Sequence, residues 1–187
     1  MSSTNRSNAR DSHVSDFYVT PVEQITMFLR DFVKAEPNFY KGLILDPCAG
    51  GDAQHPMSYP TALKVPVFTM DIREDSLAAV KGDYLNTNLD YAPDLIITNP
   101  PFNIAIDIIE KALRDVSENG FVIMLLRLNF FGGQLRKKFW DQYMPKYCYI
   151  HHKRMSFTDD NKTDSIEYAH FIWQKGHYPE FTKVKVI

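Results

Sequence analysis

The sequence predicts a doubly wound α/β fold, in which a mostly parallel, twisted sheet carries helices on both faces. Short apolar runs recur along the chain without polar alternation, as in strands that are covered on both sides. Segments with helical apolar spacing separate these runs, and such alternation is typical of α/β folds. Polar, glycine and proline residues follow the apolar runs directly, where the strand ends would form a ligand site.

The predicted elements follow one another in a regular order. The first helix runs from Thr20 to about Lys34, with Thr20 as N-cap and Pro21 in the first helical position. Three further helices are predicted, at 104–116, 133–143 and, more weakly, 75–80. Four buried strands are predicted, at 43–45, 67–70, 94–98 and 121–126. Two last strands, at 147–150 and 166–174, are expected to pair as an antiparallel hairpin.

The chain has 187 residues, a formal net charge of -2 and two cysteines. This length fits one domain, at 16–187, after a polar tail at 1–15 that we expect to be disordered. The small net charge means that nucleic-acid binding would require a local basic patch. Cys48 and Cys148 lack a metal-ligand spacing, so neither a disulfide nor a metal site is predicted. No apolar run is long enough for a membrane span, and a soluble, cytoplasmic monomer or dimer is expected.

A glycine turn follows the first predicted strand and is the first candidate ligand site. Adjacent glycines let the backbone approach a ligand closely, which favours a nucleoside-bearing cofactor at this point. A plain strand-to-helix turn is the alternative, since glycine-rich loops are common. The candidate cofactor-binding residues here are Asp46, Pro47, Cys48, Gly50 and Gly51.

Acidic residues mark the next two edges of the predicted sheet. Asp71, followed by Ile72, ends the second strand about 20 residues past the glycines, where a carboxylate can accept both hydroxyl hydrogens of a ribose. Asp83, followed by Tyr84, could accept a hydrogen bond from an adenine amino group. A helix N-cap or a surface acid is the alternative interpretation of Asp71.

The tetrapeptide Asn99-Pro100-Pro101-Phe102 directly follows the predicted strand at 94–98. Its prolines fix the backbone and withhold N–H donors, so the Asn99 side-chain oxygen and the Pro100 carbonyl can accept both hydrogens of an exocyclic amino group. Two such acceptors favour a pyramidal nitrogen, whose lone pair can attack a sulfonium methyl group. No strong base is needed, because the nitrogen becomes acidic only after methyl transfer. Phe102 offers a face for base stacking, and a rigid turn is the alternative interpretation.

Asn-Pro-Pro-Phe after an apolar strand resembles the catalytic motif of amino-methyltransferases, written D/N/S-P-P-Y/F/W. The segment from Asp16 to Pro21 resembles the upstream cofactor motif of adenine-N6 DNA methyltransferases. The order of the motifs is similar to the gamma and Dam-like arrangements. Over about 16–174 the chain most resembles the small phage-encoded DNA adenine methylases.

This resemblance implies a seven-stranded, Rossmann-like methyltransferase fold with S-adenosyl-L-methionine as cofactor. It also implies N6-methylation of adenine in DNA, protection from restriction and, for a phage protein, the cytoplasm of a bacterial host. It adds Phe17, Tyr18, Thr20 and Pro21 to the cofactor-binding candidates. The chain departs from the family where Asp52 replaces the last glycine of Asp-x-x-x-Gly-x-Gly, and the prolines that follow predict a short or broken helix.

A basic and aromatic stretch begins at the end of the predicted strand 121–126, beside the tetrapeptide. From Arg127 to Arg154, Asp141 is the only acidic residue among seven basic ones. Such a mixture favours pairing with phosphates and stacking on bases, whereas a solvated helix face with core aromatics is the alternative. The candidate nucleic-acid contacts are Arg127, Asn129, Phe130, Arg136, Lys137, Lys138, Lys153 and Arg154.

The expected substrate is DNA, as a duplex with a flipped adenine or as a single strand. The chain has no room for a separate target-recognition domain, so a short or relaxed recognition sequence is expected. Three other functions are compatible with the same residues. These are methylation of an adenine or guanine amino group in RNA, methylation of glutamine in a protein, and cofactor binding by an inactive interaction protein.

Overall fold

In the computed structural model, the described residues are 19–157, 163 and 165–187, and they build one eight-stranded sheet. The order across the sheet is β3-β2-β1-β4-β5-β7-β6-β8. All neighbouring strands pair in parallel except at β7, which runs antiparallel to both β5 and β6. The strands are β1 Ile44–Asp46, β2 Phe68–Asp71, β3 Val80–Lys81, β4 Leu95–Thr98, β5 Phe121–Arg127, β6 Tyr147–Ile150, β7 Tyr168–Gln174 and β8 Lys183–Val186.

Four α-helices cover the two faces of the sheet. On one face, α1 and α2 pack against side chains such as Ile44, Leu95 and Ile97. On the other face, α3 and α4 pack against the intervening residues of the same strands, such as Leu45 and Ile96. Successive side chains of a strand point to opposite faces, which is why these runs are apolar without alternation. The helices are α1 Val22–Ala35, α2 Ser58–Leu63, α3 Ala105–Asp115 and α4 Lys137–Gln142.

The predicted fold class is confirmed, as are the parallel strands and the antiparallel pairing of β6 with β7. The helix expected after the glycine turn is short, since α2 has only 6 residues. The structure has eight strands rather than the implied seven, because β8 adds a further parallel strand beside β6. Its four residues are all exposed, so the segment lacks the buried apolar run that marks the other strands.

Two helix predictions are wrong in detail. No helix forms at 75–80; the Thr69 side chain accepts a hydrogen bond from the backbone N–H of Ala79 at 2.9 Å, and the chain then extends into β3. At the first helix, Pro21 rather than Thr20 is the N-cap residue. Thr20 is instead engaged in a long-range contact that belongs to the candidate site.

The predictions for the tail at 1–15 and for Phe17 and Tyr18 lie outside the described residues. Within the described part of the chain, no helix combines the length and the apolar character that a membrane crossing requires.

Candidate active site

The candidate site lies where the chain order of the sheet reverses. From β1 the chain moves outward to β2 and β3, and then returns to place β4 on the other side of β1. In open α/β sheets, the crevice at such a switch point, outside the carboxyl ends of the strands, is where ligands bind. Asp46 ends β1 and Asn99 directly follows β4, so these two predicted site residues flank this crevice.

The side-chain amide of Asn99 forms a hydrogen bond at its nitrogen but none with a described residue at its oxygen. Its Nδ2 group donates a hydrogen bond to Oγ1 of Thr20 at 3.0 Å. Its Oδ1 atom is buried and accepts no hydrogen bond from any residue that the structure describes. A buried acceptor without a partner costs about 1–3 kcal/mol. Asn99 therefore presents an unpaired hydrogen-bond acceptor at the strand end.

The two prolines and Phe102 continue from Asn99 as a turn of defined geometry. Pro101 has φ -56° and ψ 125°, and its carbonyl accepts a hydrogen bond from the N–H of Ile104 at 3.2 Å. None of the described residues donates a hydrogen bond to the Pro100 carbonyl. This second oxygen is thus an acceptor next to Asn99.

Phe102 lies beside Arg127, the last residue of β5. The Arg127 guanidinium is 4.8 Å from the centre of the Phe102 ring, within the range of a cation–π contact. The Tyr168 ring is 5.9 Å from the Phe102 ring, and its hydroxyl accepts a hydrogen bond from Arg127 at 3.4 Å. A positive charge and a second aromatic ring therefore lie beside Phe102, three residues after Asn99.

The glycine turn is held against the end of β2. Gly50 and Gly51 have φ values of 62° and 75°, which residues other than glycine rarely adopt. The N–H of Gly50 donates to the Asp71 carboxylate at 2.7 Å, and the N–H of Ala49 donates to the Met70 carbonyl at 2.9 Å. Asp71 also accepts a hydrogen bond from the N–H of Arg73 at 2.8 Å. Asp71 is therefore neither a helix N-cap nor a surface acid, but a buried carboxylate that shapes the turn.

Asp46 is fully buried at the end of β1. Burial raises the pKa of its carboxyl group to about 7, with a smaller contribution from the negative charge of Asp71, although the nearby Thr98 hydroxyl and Cys48 amide act in the lowering direction. Burial and the same two carboxylates also raise the pKa of the Cys48 thiol, which disfavours a thiolate. A cationic ligand at this point would favour the ionised form of Asp46.

The other predicted cofactor-binding residues differ in their surroundings. Ile72 is 63% exposed at the end of β2, next to Asp71. Asp83 caps a short 3₁₀ helix at Tyr84–Asn86 by accepting a hydrogen bond from the N–H of Leu85. The Tyr84 ring is buried, and its hydroxyl donates to Asp115 of α3 at 2.8 Å. The Asp71 side chain thus contacts the turn, whereas the Tyr84 side chain points into the core.

No family model matches the chain, and no curated protein matches its sequence. Solved structures do match its fold. A candidate class I S-adenosylmethionine-dependent methyltransferase of Listeria monocytogenes aligns with 90% of this chain at 15% identity and a TM-score of 0.63. A candidate RNA methyltransferase of Pyrococcus horikoshii aligns with 86% of it at 17% identity and a TM-score of 0.64. The chain has the fold of class I S-adenosylmethionine-dependent methyltransferases.

This methyltransferase fold also occurs in the M protein of the type I restriction enzyme EcoKI, which aligns with 73% of the chain at 14% identity and a TM-score of 0.51. The chain spans 65% of the Listeria protein and 40% of the EcoKI protein, but 88% of the Pyrococcus protein. It therefore corresponds to part of the first two proteins and to most of the third.

The predicted nucleic-acid contacts begin with Arg127, the last residue of β5, and continue in the segments after β5 and β6, but they do not form one uniform surface. Asn129, Lys137, Lys138, Lys153 and Arg154 are exposed. Lys137 pairs with Asp141, and Arg154 pairs with Glu167 at 3.3 Å. The Phe130 ring is buried against Trp140 and Phe171, and Arg136 lies over it, so this ring is a core residue rather than a stacking surface.

Several features of the structure carry no recognisable sequence signal. The Asp52 carboxylate accepts hydrogen bonds from the N–H groups of Gln54 and His55, both at 2.8 Å, which explains how an acid fits where the family has glycine. Leu135 is 97% exposed beside the basic residues after β5. His151 and His170 share a buried hydrogen bond of 2.8 Å. The contact of Thr20 with Asn99 joins positions 79 apart in sequence. Only the resemblance of the upstream motif indicated a functional role for Thr20, as a cofactor-binding residue.

Proposed function

We propose that this chain uses S-adenosylmethionine to methylate N6 of adenine in DNA, with a short or relaxed sequence specificity. The observation that carries the proposal is the buried Oδ1 atom of Asn99, an acceptor without a partner among the described residues. An exocyclic amino group is a donor that can pair with this acceptor. The fold of class I methyltransferases agrees with the reaction.

The residues at the switch point fit S-adenosylmethionine by charge. The cofactor carries a positive sulfonium, and the site holds two buried carboxyl groups, those of Asp46 and Asp71. Gly50 and Gly51 adopt the left-handed backbone that favours glycine, and a Cβ on Gly51 would meet the side chains of Met57 and Leu77 at 3.0–3.2 Å. Ile72 adds an exposed apolar side chain next to Asp71, suited to a flat base. We assign the two acids, the two glycines and Ile72 to the cofactor.

S-adenosylmethionine held by these residues would supply an electrophilic methyl group, with its sulfur as the leaving group that keeps the electron pair of the S–C bond. Asn99 Oδ1 and the Pro100 carbonyl accept the two hydrogens of the target amino group and orient its lone pair toward that methyl group. The nitrogen releases one proton to solvent after the new N–C bond forms. Donors or acceptors aimed at a reacting group in this way act through electrostatic preorganisation.

A base in a duplex must leave the stack to reach a buried acceptor. Phe102, with the Arg127 guanidinium 4.8 Å from its ring centre, provides an aromatic and cationic wall next to Asn99. The exposed basic side chains after β5 and β6 provide contacts to phosphates. These features support a polynucleotide substrate and give no support to the protein glutamine alternative.

DNA is favoured over RNA by the motif order and by Thr20-Pro21 ahead of the glycine turn, which resemble DNA adenine methyltransferases. The EcoKI M protein, from a restriction enzyme, has the same fold. RNA remains the second candidate, because the Pyrococcus protein of this fold is described as an RNA methyltransferase.

The proposal is tested by incubating the purified chain with methyl-labelled S-adenosylmethionine and, separately, duplex DNA, single-stranded DNA, RNA or a protein mixture. Label is expected in DNA. Asn99→Ala is expected to lower kcat by about 100-fold or more, since a single aimed hydrogen bond is worth that much, while cofactor affinity stays within about threefold. Label in RNA or protein alone would assign a different substrate, and cofactor binding without transfer would indicate an interaction protein.

A further inference from the structure

We infer that Thr20 is a positioning residue, which orients the Asn99 amide so that its oxygen faces the substrate. This inference rests on the proposed function and deepens it. The observation is the hydrogen bond of 3.0 Å from Asn99 Nδ2 to Thr20 Oγ1, together with the vacant Oδ1 atom at the other end of the same amide. The resemblance to known methyltransferases implied a cofactor contact for Thr20, and not this one.

An asparagine side chain needs such a partner because its two ends are nearly equal in shape. Rotation of the amide by half a turn exchanges its oxygen for an NH2 group. With the NH2 group outward, two donors would face each other when an amino substrate binds. With the oxygen outward, the Asn99 acceptor meets a donor. The hydrogen-bond partner at the inner end of the Asn99 amide therefore influences whether the substrate meets the oxygen or the NH2 group.

Thr20 is suited to hold the inner end. Its side chain is 2% exposed, so its hydroxyl is shielded from competing water. Its backbone is fixed by Pro21, whose carbonyl accepts hydrogen bonds from the N–H groups of Gln24 and Ile25 at 3.1 and 3.2 Å. The first turn of α1 thus holds the threonine in place against the end of β4.

The hydroxyl of Thr20 can also donate, so it does not enforce the orientation alone. A donated hydrogen bond to a rotated amide would leave the Asn99 NH2 group toward the substrate, where an amino group offers it no acceptor. The threonine and the substrate together select the arrangement with the oxygen outward. Without the hydroxyl, Nδ2 of Asn99 would be buried without an acceptor, and the amide would lose its fixed orientation.

Two substitutions at Thr20 separate this role from cofactor binding. Thr20→Val has nearly the same shape but no acceptor, and Thr20→Ser keeps the hydroxyl. For Thr20→Val we expect kcat to fall about 10- to 100-fold, the loss of one oriented hydrogen bond, with cofactor affinity by calorimetry within about threefold of the wild-type value. Thr20→Ser should recover most of kcat. The matched control is Thr26→Val, also on α1, where an exposed hydroxyl bonds only to the Val22 carbonyl.

A second measurement does not depend on turnover. The side-chain NH2 signals of Asn99 in the ¹H–¹⁵N spectrum, identified by their loss in Asn99→Ala, should exchange slowly with solvent in the wild type and in Thr20→Ser, and rapidly in Thr20→Val. Thr20→Ala replaces the valine variant if that variant does not fold. If no methyl transfer occurs to any polymer, the proposed function fails, but these signals still test the contact.

Two outcomes would overturn the positioning role. An unchanged kcat and unchanged Asn99 signals in Thr20→Val would mean that the hydrogen bond does not orient the amide. A loss of cofactor affinity as large as the loss of kcat/KM would instead make Thr20 a cofactor-binding residue.

Discussion

At the scale of single residues, the site combines groups that are costly to bury. Asn99 leaves an acceptor without a partner, and Asp46 is a fully buried carboxyl group. The folded state would be more stable with an apolar residue at either position, or with a hydrogen-bond donor to Asn99 Oδ1 and to Asp46 Oδ2, which both lack one among the described residues. Both lie at the switch point of the sheet, so the destabilisation is concentrated where a ligand can offset it.

Asp46 gives the chain a predictable response to pH. Burial raises its pKa to about 7, whereas an unfolded chain has an ordinary value of about 3.9. Between these values the folded state binds the additional proton, so Asp46 lowers the free energy of unfolding as pH rises from about 4 to 7. We expect Asp46→Asn to gain stability relative to the wild type over this range, by up to about 4 kcal/mol. Urea denaturation of both proteins at pH 5, 6, 7 and 8 measures this difference.

The comparison with the variant is essential, because other buried groups titrate in the opposite sense. Burial lowers the pKa of His151 to about 4 and lowers that of His170 as well. These histidines lower stability as pH falls below about 6.5, and they do so equally in both proteins. A stability difference between the Asp46→Asn variant and the wild type that is constant from pH 5 to 8 would contradict the raised pKa of Asp46.

At the scale of elements, the segments after β5 and β6 form the rim of the site, and the start of α4 is the part most suited to a phosphate contact. Lys138 is exposed and forms no ion pair with any described residue, whereas Lys137 pairs with Asp141. Lys138 is therefore the lysine of α4 whose charge is most available to DNA.

We expect Lys138→Glu to weaken binding to any DNA sequence about equally, because phosphate contacts carry no base information. The slope of log K against log salt should become less steep by about 0.9 for the lost contact. Fluorescence anisotropy with a labelled duplex at several salt concentrations measures both effects. Lys41→Glu is the control, since Lys41 is also exposed but precedes β1, at the opposite edge of the sheet. Equal losses in both variants would mean that DNA does not bind at the rim.

The elements also explain how far the sequence could predict this fold. The buried strands were recognisable because both of their faces are apolar, and they begin and end within two residues of the predicted positions. The sequence at 75–80 did not itself exclude a helix. The contact that competes with a helix there comes from outside the segment, because the Ala79 N–H donates a hydrogen bond to the Thr69 side chain of β2. β8 escaped prediction because an exposed edge strand with alternating Lys and Val has no buried face.

At the scale of the molecule, the sequence predicted which residues gather but not how they contact one another. Asp46 and Asp71 end β1 and β2, and Asn99 follows β4, so parallel pairing alone brings them to one edge. The contact between Asn99 and Thr20 depends on how α1 packs against the end of β4, which no local pattern encodes. Burial of Phe130 likewise depends on the packing of β7 and α4 around it.

The whole molecule also concentrates its binding capacity in one region. With a net charge of -2 it has no overall attraction for DNA, and the basic residues after β5 and β6 follow the carboxyl ends of these strands, on the side of the sheet where Asn99 follows β4. Recognition and chemistry are thus expected at a single edge of the sheet.

The central claim is that the unpaired Asn99 oxygen accepts a hydrogen bond from an adenine amino group during methyl transfer. Mass spectrometry of nucleosides from the DNA of cells that lack N6-methyladenine and express this chain tests it most directly. We expect N6-methyladenine with the wild type and a loss of nearly all of it with Asn99→Ala at equal protein levels. Undiminished N6-methyladenine in the Asn99→Ala cells, or none in the wild-type cells, would contradict the account.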